Sequence, residues 1–144
     1  MSLLESRMAV RYPNIRWVFA HAGGTMPFLV SRIVGRKLPP GPDGLIMLDP
    51  TDRSRNSGQE RLDTIRRFYY ECAQQTNVVA LGALRRVVRI SQIVFGTDYP
   101  ASDSGGRATP IADHALGLAG VFSGAELRAV ESENALRLFP KYRS

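Results

Sequence analysis

Apolar residues collect in three short, nearly unbroken runs along this chain, and between the runs they recur at helical spacing. The runs are Ile15–His21 (IRWVFAH), Phe68–Ala73 (FYYECA) and Gln92–Asp98 (QIVFGTD). β-Branched and aromatic side chains dominate them. Continuous rather than alternating apolar character suits parallel strands covered by helices. Enough chain separates each pair for a helical crossover, so the three are expected as adjacent parallel strands in chain order.

The intervening segments carry helix signals. Pro27–Val34 opens with a proline where its missing N–H costs nothing. Glu60–Arg67 sets Leu62 and Ile65 on one face, and Asn77 is placed to cap a helix reaching about Arg89 through Leu81, Leu84 and Val88. Ile111–Leu118 is a further candidate, interrupted by Gly117 and Gly120. Ser123 caps a last helical stretch through Leu127, Val130 and Asn134–Phe139, closed by Pro140. Strand and helix alternate three times, which predicts an α/β parallel architecture in a single domain spanning 1–144. Leu38–Gly58 departs from this pattern, with four prolines and the polar run TDRSRNSG. A stretch of that length reads as a surface excursion or a lid.

With 44% apolar and 22% charged residues, 144 residues suffice for one globular core. No apolar run approaches the roughly 20 residues that cross a bilayer, and MSLLESRMAV lacks the features of a secretion signal. The opening MSL reads as a leader from cloning. One cysteine, Cys72, precludes an internal disulfide and suits the cytoplasm. The net charge of +6 does not point to nucleic acid: 17 arginines and two lysines are scattered rather than striped.

His21 and Asp98 each close an expected strand. In parallel α/β folds reactive groups gather at those C-terminal ends, so both would face one mouth. Histidine and carboxylates suit a borderline metal, and histidine moves protons near neutral pH. Position alone leaves other roles open. The histidine also fits a structural role, and Asp before Tyr-Pro fits a turn. No G-x-S-x-G elbow, phosphate loop or dinucleotide fingerprint occurs, and Cys72 reads as a small buried hydrophobe.

Two motifs go further. VFAHAGG, with Pro27 and Arg32 following, resembles the sixth-strand motif of the amidohydrolase-related decarboxylase family, which includes aminocarboxymuconate-semialdehyde, γ-resorcylate and methylsalicylate decarboxylases. IVFGTDYP resembles its eighth-strand motif, FYYECA stands at its seventh strand, and NALRLF resembles its closing helix. The likeness runs from about Tyr12 to Phe139. It implies the C-terminal part of a metal-dependent (β/α) barrel acting on a small carboxylated, aromatic or cyclic substrate by hydrolysis or decarboxylation.

By that resemblance Asp98 is a metal ligand and catalytic residue, His21 an acid–base group, and Arg32 a substrate-carboxylate contact, in some members from a neighbouring subunit. The implied cofactor is a divalent metal, zinc or manganese. The departures are specific. The family's first-strand His-x-His pair and fifth-strand histidine are absent, and the other histidine, His114, reads as a structural or surface residue. Glu71 stands where many relatives carry aspartate. A full barrel has eight strands and about 250 residues. The rival expectation is a non-catalytic half-barrel that pairs with itself or with a missing N-terminal half. In that case Trp17, Phe19, Tyr69, Val94 or Phe95 should leave apolar surface open.

Overall fold

Alternation along the middle strand organises the molecule. Phe68, Tyr70 and Cys72 point to one face and are buried, whereas Tyr69 and Glu71 point to the other and are half-buried. A computed structural model describes residues 2–52, 55–100 and 117–143. Its sheet comprises β1 (Val18–Phe19), β2 (Tyr69–Glu71) and β3 (Ile93–Val94), in the order β1-β2-β3. Both pairings are parallel, with Val18 opposite Tyr69, Phe19 opposite Tyr70, Tyr70 opposite Ile93 and Glu71 opposite Val94. The expected order and direction therefore hold.

The strands are shorter than the apolar runs that announce them, because the backbone turns early. His21 and Ala22 adopt positive φ (54° and 55°), which ends the β1 ladder. Before β3, Ile90–Gln92 forms a 3-10 turn.

Helices cover the Tyr70 face. α3 (Met26–Val34) buries Pro27, Val30, Ile33 and Val34. α4 (Arg55–Ile65) buries Leu62 and Ile65, and α5 (Val78–Val87) buries Ala80, Leu81, Leu84 and Val87. Asn77 caps α5 as expected, its Oδ1 accepting from the Val79 and Ala80 amides at 3.1 and 2.9 Å. Beneath them Phe19 packs on Phe68 and Tyr70, with ring centroids 5.0 and 6.0 Å apart. The Tyr70 hydroxyl donates to the Ile65 carbonyl at 2.9 Å, which satisfies a group buried in this layer.

Two short N-terminal helices, α1 (Ser2–Glu5) and α2 (Met8–Arg11), precede β1; Ala9 is buried and Leu3 and Leu4 pack on the core. Three expectations are corrected. α4 begins and ends earlier than Glu60–Arg67. Of the two readings of the 38–58 stretch, its described residues do not support a lid. Pro40 and Ile46 form an antiparallel bridge, Leu45 and Leu48 are buried, and the Ile46 amide donates to the Arg86 carbonyl at 2.7 Å. That anchor lies at the C-terminal end of α5, about 15 Å of helix away from the Asn77 end that follows β2. Val94 is also buried, at 6% exposure, rather than open. His114 and most of Ile111–Leu118 lie outside the described residues.

The C-terminal helix runs as Gly124–Arg128, a π stretch Ala129–Glu133, and Asn134–Leu138. Ser123 stands at its N-cap position without a side-chain cap bond. Val130 O accepts from the Phe95 amide at 3.0 Å, and Asn134 Nδ2 donates to Ile93 O and Ile90 O, each at 2.8 Å. Val94 O faces β2, where it accepts from the Cys72 amide. Ile93 and Phe95 therefore present their backbone groups to the opposite side. The outer edge of β3 is thus bonded by the chain's own C-terminal helix. β1 ends the sheet on the other side, with Val18 46% and Ile15 49% exposed.

Candidate active site

Residues at the C-terminal ends of the three strands meet through the loop after β2. From β1, His21 Nδ1 lies 3.1 Å from the Ala73 carbonyl. A carbonyl only accepts, so Nδ1 carries the hydrogen and the neutral ring keeps its lone pair on Nε2. From β3, Asp98 Oδ2 accepts from Gln74 Nε2 at 2.8 Å. Neighbouring residues of one loop thus hold both groups. His21 and Asp98 are half-buried, which leaves each open to a small molecule.

The backbone supports a site here. Five described residues other than glycine have positive φ, and four of them are His21, Ala22, Gln74 and Asp98, at 54°, 55°, 57° and 60°. Left-handed conformations at non-glycine residues cost energy and concentrate at binding and catalytic loops. Histidine and aspartate tolerate them better than most residues. Tyr99-Pro100, directly after Asp98, is a cis peptide.

The resemblance put a role for Glu71 in doubt, because many relatives carry aspartate there, and the structure places it between the other groups. Oε2 accepts from the His21 amide at 3.4 Å, and Oε1 accepts from the Ala73 amide. A Cβ at residue 96 would overlap this carboxylate, so Gly96 is what lets β3 approach it. The one signal in the sequence is a lone carboxylate inside an apolar aromatic run.

Arg32 is not brought to this edge. It is exposed on α3 and lines an apolar cavity of about 380 Å³ with Leu4, Phe19, Met26, Phe68 and Tyr70, on the helix-covered side of the sheet. Burial pushes the Cys72 thiol up to about 11, so it is protonated and inert near neutral pH. Among the described residues no three His, Cys, Asp or Glu side chains come together as a metal site. None of the described helices is long and apolar enough to cross a membrane.

Residues 1–141 match the amidohydrolase family model. The 6-methylsalicylic acid decarboxylase of Aspergillus aculeatus is 34% identical over 98% of this chain. That of Penicillium expansum is 31% identical over the same share. The chain spans 40% of the length of each of these curated relatives. Among solved structures, the dihydroxybenzoic acid decarboxylase of Polaromonas sp. JS666, with bound manganese and the inhibitor 2-nitroresorcinol, superposes with a TM-score of 0.68 at 20% identity. That match covers 99% of this chain and 39% of the other. The sheet and its helices are therefore part of a (β/α) barrel.

Proposed function

The chain belongs to the amidohydrolase family, and from that premise we propose that it supplies the His21–Asp98 part of a decarboxylase site for a small aromatic carboxylate, of the 6-methylsalicylic acid type. The observation that carries the reading is the convergence of His21 and Asp98 on Ala73 and Gln74 at one end of a parallel sheet. The decarboxylase relatives favour this chemistry over hydrolysis.

Decarboxylation replaces a ring carbon–carboxylate bond with a carbon–hydrogen bond. The site must deliver one proton to that carbon as the bond breaks and carbon dioxide leaves. His21 suits this delivery. Its ring is fixed through Nδ1, so Nε2 is the atom that takes up a proton and passes it on. Asp98, held by Gln74 through one oxygen, is the group this chain would offer to a divalent metal such as zinc or manganese. The described residues do not complete such a centre, because catalytic zinc typically has three protein ligands. The remaining ligands would come from elsewhere in the barrel. Arg32, exposed on α3, would reach a substrate carboxylate only across a subunit boundary. A cytoplasmic setting suits the lone buried Cys72.

A second reading rests on the lack of a three-ligand metal centre among the described residues and on the exposed Ile15 and Val18 at the β1 side. Here the chain is a non-catalytic half-barrel that pairs with a second copy or with an N-terminal half. Incubation with 6-methylsalicylic acid and Zn²⁺ or Mn²⁺, of the chain alone and of the chain joined to the N-terminal part of a 6-methylsalicylic acid decarboxylase, separates the two, the first reading being tested on the joined protein. The first reading expects carbon dioxide release that falls at least about a hundredfold in His21→Asn and Asp98→Asn. No release with either ion, together with a dimeric mass by light scattering, selects the second.

A further inference from the structure

We infer that Glu71 is a positioning residue that sets the tautomer and backbone pose of His21, acting as a carboxylate clamp across all three strand ends. The inference rests on His21 as the proton-transfer group, and the clamp itself is a matter of geometry. One oxygen of Glu71 accepts from the His21 amide and the other from the Ala73 amide. The Ala73 carbonyl in turn receives Nδ1–H of His21. A single side chain therefore holds the backbone of the histidine and the residue that orients its ring. The third strand takes part by absence of bulk, since Gly96 leaves the space the carboxylate occupies.

The clamp has a physical task. His21 and Ala22 both sit at positive φ, a conformation that persists only where surroundings over-determine it. The bond to the His21 amide is long, at 3.4 Å, but the same carboxylate also holds the Ala73 amide, and the two contacts together provide such a constraint. Without it the loop can relax toward ordinary backbone angles. The imidazole then separates from the Ala73 carbonyl and loses its preference for the Nδ1–H form. Aspartate is one methylene shorter and would reach the Ala73 amide of its own loop but not the His21 amide.

Nitrogen-15 imidazole spectra of the intact chain carrying His114→Asn, which leaves His21 as the single histidine, test this directly. The Nδ1–H tautomer is expected to dominate with Glu71 present and to give way to Nε2–H in Glu71→Ala. Exchange of the His21 and Ala73 amides should accelerate on the order of tenfold, the worth of one charge-assisted hydrogen bond. Glu71→Gln retains the shape with a single acceptor oxygen, so one of the two amides should lose protection. Gly96→Ala, which displaces the carboxylate, should reproduce the Glu71→Ala spectrum and add nothing in the Glu71→Ala background.

An unchanged tautomer and unchanged exchange in Glu71→Ala and Glu71→Gln overturn the clamp. The two ideas fail separately. If the tautomer shifts but His21→Asn leaves carbon dioxide release intact, the clamp stands and the proton-transfer reading falls. If His21→Asn abolishes release while the Glu71 variants leave the imidazole untouched, the reverse holds.

Discussion

Gln74 donates from Nε2 to Asp98 Oδ2 across 2.8 Å, and both residues hold positive φ, 57° and 60°. One turn after β2 therefore aims a carboxylate that follows β3. The bond orients Asp98 without burying it, so its loss should weaken function more than folding. In the decarboxylase reading, Gln74→Ala lowers kcat/KM roughly tenfold, the worth of about one hydrogen bond. Its Tm should stay within about 2 °C of the unaltered chain, as expected for a change at an exposed pair. Steady-state rates beside a melting curve check both halves. A large fall in Tm with unchanged kinetics would show a structural role instead.

Asn134 is 1% exposed and fully used: Nδ2 serves Ile90 O and Ile93 O, and Oδ1 accepts from Arg137 at 3.1 Å. Asn134→Leu leaves the buried Ile93 carbonyl without its donor, while Ile90 O keeps the Ile93 amide, and should destabilise by about 1–3 kcal/mol. Denaturant unfolding measures this. A loss under about 0.5 kcal/mol, the range of an ordinary surface change, would mean that β3 does not depend on the C-terminal helix.

Gly58 lies where α4 meets the end of α3, and a Cβ there would overlap the Val34 carbonyl oxygen. That obstacle is backbone, so one helix must shift. Gly58→Ala therefore costs on the order of 1–3 kcal/mol, despite alanine's better helix propensity. An equal or higher Tm than that of the unaltered chain would show that the two helices are loosely packed.

Cys72 and Tyr70 predict alkaline sensitivity. Burial raises the Cys72 thiol from its ordinary 9.0 to about 11 and raises the Tyr70 hydroxyl as well. Above pH 9 the unfolded chain gives up the thiol proton while the folded chain keeps it. The unfolded state is then favoured, and stability falls as pH rises from about 9 to 11, by roughly 2–3 kcal/mol for Cys72. Cys72→Ser or Cys72→Ala should flatten that part of the profile. A stability curve that is level from pH 8 to 11 in the unaltered chain would contradict the assignment.

By itself the sequence determined the three parallel strands, their order, the helices between them and the Asn77 cap. Burial on both faces writes itself as continuous apolar runs, and a cap needs only a side chain two or three residues from the amides it serves. His21 and Asp98 were legible for a related reason, since each closes such a run. Tertiary structure decided what long-range contacts decide. Glu71 lies 50 residues from the His21 amide it accepts from, and no local pattern encodes that pairing. Asn134 finds carbonyls more than 40 residues away. The proline-rich stretch could be read as a surface excursion or a lid, because its composition reports only that it is not regular. Its anchor on Arg86 sets it at the end of α5 away from the His21–Asp98 edge. Arg32 was a candidate only by the family resemblance, and the helix that carries it packs on the covered face of the sheet, so within one chain it stands apart from the His21–Asp98 edge.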